Sequence, residues 1–195
     1  MKSAIILVLS YLIGSIPFGV VIARLKGVDL RRVGSGNIGA TNVLRAMGRL
    51  PAFLALLGDF AKGIAAVFLG RVFLGDGLWQ GGAGIMAIIG HNYPVFLRFK
   101  GGKGVATGFG VLSIYSPLSA LITVTIWIIT AVFTRYSSLA SLLSYLSLPF
   151  TMAIVEGRGV RFLFSIAITI MIIWKHRENI KRLVNHMEPK IGEKT

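Results

Sequence analysis

Long apolar segments cover most of this chain and leave little sequence from which a soluble domain could form. Apolar residues make up 54% of the 195 residues, whereas charged residues make up 14%. About 20 apolar residues in a helix suffice to cross a bilayer. The sequence therefore predicts an all-α, polytopic integral membrane bundle of about seven transmembrane helices, built as a single domain over residues 1–195. The predicted spans are Ala4–Ala23, Pro51–Leu74, Leu78–Leu97, Val105–Tyr115, Pro117–Phe133, Leu139–Val155 and Val160–Trp174.

The segment from Gly104 to Thr134 contains no charged residue and needs a break. As one helix it would be about 46 Å long, which exceeds the ~30 Å hydrocarbon core of a bilayer. We expect Ser116-Pro117 to divide it into two helices. That division places Lys103 and Arg135 on the same face of the membrane.

Lysine and arginine residues are distributed unequally between the two faces of this predicted topology. One face holds sixteen of them and the other holds four, with Lys62 inside a span. The positive-inside rule then predicts a cytoplasmic carboxyl terminus and an amino terminus outside. Such a basic face also attracts anionic substrates and membrane lipids, whereas its charges are too dispersed for nucleic acid. The sixteen are Arg24, Lys26, Arg31, Arg32, Arg45, Arg49, Arg98, Lys100, Lys103, Arg135, Lys175, Arg177, Lys181, Arg182, Lys190 and Lys194.

A loop rich in glycine and hydrogen-bonding side chains follows the first span. Glycine lets a ligand approach the backbone closely, and arginine offers a bidentate fork to phosphate. If a short helix begins at Ala40 or Thr41, its free N–H groups face the loop. This pattern indicates a phosphate site, although a re-entrant turn with purely structural glycines is the alternative. The loop comprises Gly34, Ser35, Gly36, Asn37, Ile38, Gly39, Ala40, Thr41 and Asn42, followed by Arg45.

A second glycine loop, Gly101-Gly102-Lys103-Gly104, follows the third span. The loop is not a Walker A motif, because no Ser or Thr follows the lysine. We interpret it as a second anion site, and a flexible basic turn between two helices is the alternative. We interpret His91 as a hydrogen-bonded structural residue without a nearby carboxylate partner. The chain has no Cys and only three His. We therefore expect no metal site and no cofactor.

Two further pairs of polar residues are spaced to share a helix face. If the last helix continues beyond Trp174, His176 and Asn179 at i and i+3 could both reach a ligand, although a plain basic helix end is the alternative. Asp59 and Lys62, also at i and i+3, lie within a span. We expect them to neutralise each other structurally rather than to relay protons.

Together these motifs closely resemble the acyl-phosphate:glycerol-3-phosphate acyltransferase family of bacterial membranes, also called PlsY. The resemblance covers nearly the whole chain. It implies transfer of a fatty acyl group from acyl phosphate to the 1-hydroxyl of glycerol 3-phosphate, giving lysophosphatidic acid and phosphate. It also implies a site on the cytoplasmic face of the inner membrane, with neither acyl-CoA nor acyl-carrier protein as donor. The matching motifs are Gly34–Arg45, Gly101–Thr107, His176–Ile180, Asp59–Gly63 and Ser138–Ser141.

The resemblance and the motifs together yield a predicted site. We assign catalytic roles to Ser35, Arg45, His176 and Asn179, and structural roles to Asp59, Lys62 and Glu178. The expected substrate-binding residues are Gly36, Asn37, Thr41, Asn42, Gly101, Gly102, Lys103, Gly104, Thr107 and Ser141.

The chemistry leaves two mechanisms open. The His-x4-Asp pair typical of other glycerolipid acyltransferases is absent after each of the three His residues. We therefore expect a substrate phosphate or water to accept the proton of the attacking glycerol 3-phosphate hydroxyl. The alternative is that His176 acts as general base with Glu178 as its orienting partner. A small anion transporter is the alternative function from another class.

Overall fold

The computed structural model describes residues 1–193, which form ten α-helices and one 3₁₀ turn without any β-strand. Lys194, which our topology counted among the cytoplasmic charges, lies outside the described residues. The helices are α1 (Lys2–Ser15), α2 (Phe18–Leu25), α3 (Ala40–Met47), α4 (Arg49–Leu74), α5 (Leu78–Asn92), α6 (Val105–Tyr115), α7 (Pro117–Thr134), α8 (Ser137–Val155), α9 (Val160–Lys175) and α10 (Arg177–Val184), with the 3₁₀ turn at Val95–Leu97.

The predicted all-α membrane architecture is confirmed. Four helical segments are long and apolar enough to cross a bilayer, namely Lys2–Leu25, Arg49–Leu74, Pro117–Thr134 and Ser137–Val155. Large apolar side chains such as Phe133, Phe150 and Ile154 are exposed on the outside of the bundle, as lipid-facing residues are. The number of seven crossings and the orientation of the termini remain predictions.

Proline positions set two of the helix boundaries. The break between α6 and α7 falls at Ser116, as expected, with Pro117 in the first turn of α7. The first span, by contrast, was expected to be one helix, and it is interrupted at Ile16 and Pro17. Proline lacks an N–H and clashes with the preceding turn. The carbonyl of Ile16 instead accepts a hydrogen bond of 2.9 Å from Nζ of Lys62.

Glycine brings neighbouring helices into backbone contact. A Cβ built on Gly63 of α4 would lie 2.2 Å from the carbonyl oxygen of Thr107, and one on Gly110 of α6 would lie 2.0 Å from that of Phe60. Helix association in lipid depends on such close packing of small residues, because the apolar side chains gain little by leaving the lipid. Helices α4 and α6 are thereby held at a fixed register.

A smaller apolar cluster fixes the first glycine loop to the bundle. Leu30, just before the loop, and Val43 of α3 are buried together with Ala23 of α2 and Ala55 of α4. The predicted helix at Ala40 is therefore present, and it lies against α4. This packing holds Arg45 at the same end of the bundle as the second glycine loop.

Candidate active site

The first glycine loop owes its shape to the side chain of Asn42. Its Nδ2 donates to the carbonyl oxygens of Leu30, Val33 and Asn37 at 3.0, 3.1 and 2.8 Å. Its Oδ1 accepts the backbone N–H of Ser35 at 2.9 Å. The polar groups of Asn42 are thus all bonded within the loop. Asn42 borders the cavity described below, but its amide maintains the loop instead of reaching for a ligand.

The second glycine loop is fixed to the end of α5 through His91. The N–H of Gly102 donates to the carbonyl oxygen of His91 at 3.0 Å. A Cβ on Gly102 would lie 2.1 Å from Nε2 of His91, and one on Gly101 would lie 2.2 Å from its carbonyl oxygen. Gly104 adopts a left-handed φ of 83° that favours glycine. The glycines of this loop therefore permit close packing on α5 and a sharp turn into α6.

A buried charged cluster lies behind the second loop. Nζ of Lys62 is 2.8 Å from Oδ1 of Asp59 and 2.9 Å from Nδ1 of His91. The expected pairing of Asp59 with Lys62 is confirmed. The expectation that His91 has no nearby carboxylate was wrong, because Oδ1 of Asp59 is 3.5 Å from its Nδ1. Tertiary packing of α4 against α5 supplies this partner.

The junction of α9 and α10 places His176 and Asn179 side by side. Nδ1 of His176 is 2.8 Å from the carbonyl oxygen of Ile172, which can only accept, so Nδ1 carries the proton and Nε2 is an acceptor. Burial, together with the charge of Lys103, lowers the pKa of His176 to about 4. Nζ of Lys103 donates to Oδ1 of Asn179. His176 is therefore a neutral imidazole next to an ammonium group.

Glu178 lies apart from His176, on the exposed side of α10. Its carboxylate is 3.7 Å from Nε of Arg177 and 3.5 Å from Nζ of Lys181. Neighbouring side chains at i and i+2 point to different helix faces. The structure therefore does not form the His176–Glu178 pair that the general-base alternative requires.

The loops and the α9–α10 junction enclose one cavity of about 680 Å³. Its polar end carries the cationic side chains of Arg45 and Lys103. Asp59 and His91 also border the cavity. Much of the remaining wall is apolar, and Phe53, Leu57 and Ile128 in it are also exposed on the outside of the bundle. The cavity therefore extends from a cationic end to the lipid-facing surface between α4 and α7.

Most of the predicted site residues meet at this cavity. Those that line it are Ser35, Asn37, Thr41, Asn42, Arg45, Asp59, Lys103, Gly104, Ser141, His176 and Asn179. Gly36, Gly101 and Gly102 belong to the loops but do not line the cavity. Two side-chain hydrogen bonds join the walls: Oγ1 of Thr41 lies 3.1 Å from Oγ of Ser137, and Nε1 of Trp127 donates to Oγ of Ser141 at 3.1 Å.

Thr107 is a predicted binding residue outside the two loops that does not line the cavity either. It is fully buried at the contact between α4 and α6, and it is not among the residues lining the cavity. Its hydroxyl has no hydrogen-bond partner among residues 1–193. The backbone contact between Thr107 and Gly63 accounts for this position, because it places the first turn of α6 against α4. The binding role of Thr107 stays a prediction.

Sequence reasoning missed the carboxyl-terminal contribution to the cavity. Glu188, Pro189 and Ile191 line its polar end, and Nη2 of Arg45 donates to the carbonyl oxygens of Pro189 and Lys190 at 3.1 and 3.3 Å. An acidic residue, Glu188, within a basic tail was a possible signal. Its burial, however, cannot be read from the composition of that segment. The fold and the cavity together define an integral membrane protein whose cavity joins a cationic end to the lipid-facing surface.

Comparison with known proteins agrees with this class. Residues 4–186 match the family described as glycerol-3-phosphate acyltransferase. A glycerol-3-phosphate acyltransferase of Geotalea daltonii is 46% identical over 184 residues, covering 94% of this chain and 95% of that protein. Crystal structures of PlsY, an integral membrane glycerol 3-phosphate acyltransferase, in its glycerol 3-phosphate and lysophosphatidic acid forms, match with TM-scores of 0.93 and 0.90. Their identities are 43% and 41%, and each comparison covers 98% of this chain and 96% of the other.

The chain therefore belongs to the glycerol-3-phosphate acyltransferase family. The resemblance drawn from its motifs is confirmed, and the enzyme class is that of an acyltransferase. This outcome does not favour the alternative of an anion transporter.

Proposed function

We propose that the protein transfers a fatty acyl group from acyl phosphate to the 1-hydroxyl of glycerol 3-phosphate. The products are lysophosphatidic acid and inorganic phosphate, which makes the reaction the first acylation of phospholipid synthesis. We further propose that the polar end of the cavity faces the cytoplasm in the bacterial inner membrane, since the basic loops lie at that end. Related PlsY structures in glycerol 3-phosphate and lysophosphatidic acid forms support the acceptor and the product.

The shape and charge of the cavity carry the proposal. Both proposed substrates are phosphate anions, and the donor also has a long acyl chain. Arg45 and Lys103 supply positive charge at one end. The apolar wall formed in part by Phe53, Leu57 and Ile128 offers the acyl chain a path to the lipid. A site of this shape can hold two anionic head groups beside one another while the acyl chain stays in the membrane.

We assign the two loops to different substrates. Ser35 and Arg45 of the first loop and α3 would orient the donor phosphate and its carbonyl, for which a guanidinium fork is well suited. Lys103 and the N–H groups of the second loop would receive the glycerol 3-phosphate dianion. His176 and Asn179 would position the acceptor, because both line the cavity and Asn179 already bonds Lys103.

The reaction then proceeds without an obligatory protein base. The acceptor hydroxyl oxygen attacks the acyl carbonyl carbon, the bond from that carbon to the phosphate oxygen breaks with its electron pair, and the hydroxyl proton passes to the leaving phosphate. His176 is a poor proton acceptor because burial and Lys103 lower its pKa to about 4. Positioning and stabilisation of developing charge are the main catalytic contributions expected for an already activated donor.

The donor is tested by supplying acyl phosphate, acyl-CoA and acyl-carrier protein separately to the purified protein with glycerol 3-phosphate. We expect lysophosphatidic acid only with acyl phosphate, and release of one phosphate for each acyl group transferred. Reactions lacking either substrate are the controls. Comparable turnover with acyl-CoA or acyl-carrier protein would overturn the donor assignment while leaving the acceptor unaffected.

A further inference from the structure

The carboxyl-terminal tail, residues 185–191, crosses the polar end of the cavity and is held at both ends. The N–H of Met187 donates to the carbonyl oxygen of Arg182 at 2.7 Å, which folds the tail back on α10. The N–H of Ile191 donates to the carbonyl oxygen of Arg135 at 2.7 Å. The region matching the family ends at residue 186. Almost all of the tail therefore lies beyond the part of the chain that the family match covers.

Glu188 is the tail residue whose side chain enters the cavity, where its carboxylate is fully bonded. It is 9% exposed. One oxygen accepts from Nδ2 of Asn179 at 2.6 Å, and the other accepts from Nε of Arg182 at 2.8 Å. No hydrogen bond or ion pair within residues 1–193 joins it to Lys103 or Arg45. The carboxylate therefore does not pair with either cation and bonds Asn179 instead.

An asparagine side chain has two chemically different ends, and its neighbours decide which way the amide points. A carboxylate can only accept, so it requires the Nδ2 end of Asn179. An ammonium group can only donate, so Lys103 requires the Oδ1 end. Only one orientation of the Asn179 amide therefore satisfies both neighbours. The reversed amide would place its oxygen against the Glu188 carboxylate and its NH₂ group against the Lys103 ammonium group. The hydrogen bonds thus run in one direction through Arg182, Glu188, Asn179 and Lys103.

We propose that Glu188 is a positioning residue for the acceptor site: by orienting the amide of Asn179, it places the Lys103 ammonium group where the glycerol 3-phosphate dianion binds. It acts through Asn179 and does not itself touch the substrate. The role rests on the function proposed above for the second loop. If Glu188 has this role, the tail forms part of the acceptor site.

Electrostatics support the same arrangement. Burial lowers the pKa of Lys103 to about 8, and the negative charge of Glu188 opposes that decrease. Glycerol 3-phosphate binding should therefore weaken as the pH rises through about 8 and Lys103 loses its proton. Removing the charge of Glu188 should move this alkaline limit to lower pH. The other charged groups that act on Lys103 are Arg182, Arg45 and Lys175, with the neutral His176 beside it.

The proposal is tested by measuring the Kd of glycerol 3-phosphate directly, by calorimetry without a donor, from pH 6 to pH 9. This measurement separates it from the donor assignment, which the donor comparison tests. Glu188→Gln keeps the size of the side chain but can present either end to Asn179. We expect its Kd to rise about 10-fold or more, as the loss of a charge-assisted hydrogen bond predicts, and its alkaline limit to fall.

Two further variants separate positioning from folding. Glu188→Asp keeps the charge, so its alkaline limit should stay near that of the parent even if Kd rises. Glu193→Gln removes one charge just beyond the tail and outside the cavity, and should leave both quantities unchanged. Among residues 1–193, the Glu193 carboxylate accepts only the exposed N–H of Lys190. If Glu188→Gln lowers only the melting temperature, with Kd within twofold of the parent and the same alkaline limit, the role is structural and the proposal is wrong.

Discussion

Replacing Gly102 by alanine tests how the second loop is held. The new Cβ would lie 2.1 Å from Nε2 of His91 and 2.9 Å from its Cδ2 and Cε1. An ordinary contact is about 3.5 Å or more, so the two groups must separate by about 1.4 Å. His91 is held on its other side by Lys62, which is 2.8 Å from Asp59. The loop must therefore move, and Lys103 with it.

A displacement of about 1 Å at a reacting group can cost about 100-fold in rate. We therefore expect Gly102→Ala to lower kcat/KM for glycerol 3-phosphate by about that factor. If the glycines of this loop served only close approach of the anion, the methyl group would obstruct the ligand itself. The structure changes the reason, because the methyl group points at His91. The assay is steady-state release of phosphate over a range of glycerol 3-phosphate concentrations at saturating acyl phosphate.

A second substitution separates these two reasons. His91→Ala removes the ring that the methyl group strikes, so the double variant should be less impaired than the product of the two single effects. Gly82→Ala, on the same helix as His91, is the matched control because its Cβ would meet only Cδ2 of Leu7 at 3.5 Å. Strictly multiplicative effects of Gly102→Ala and His91→Ala would refute the packing argument.

Three further substitutions test other assignments. Arg45→Lys should lower kcat/KM by about 10-fold or more, because an ammonium group cannot both bond the two tail carbonyl oxygens that Nη2 bonds and offer a phosphate the guanidinium fork; full activity would contradict the donor-site role. The pKa of His176 is about 4, so the pH–rate profile of the parent protein should not fall near pH 6.5. If the rate does fall there, and His176→Gln abolishes that dependence with a thousand-fold drop in kcat, then His176 is the general base. Thr107→Val should leave KM for both substrates within about twofold and the melting temperature no lower, since the buried hydroxyl has no partner among the described residues, and a raised KM would return Thr107 to the binding site.

The sequence by itself determined the features that depend on neighbouring residues. The total of apolar residues required a membrane bundle, and the proline at Pro117 ended one helix and began the next. The i and i+3 spacing paired Asp59 with Lys62, because the helical period places such residues on one face. The glycine loop before α3 was likewise recognisable from its composition. Most of the predicted site residues indeed line one cavity.

Only the tertiary structure decided which distant residues meet. Asp59 reaches His91, Gly102 lies against the His91 ring, Thr107 turns toward α4, and Glu188 returns to Asn179. In a soluble helix an apolar stripe marks the face that packs inward. In a membrane helix the packed face and the lipid face are both apolar, so the sequence pattern does not say which helices adjoin. Contacts between separate helices, and the fold-back of the tail, are therefore fixed by packing that no local spacing reveals.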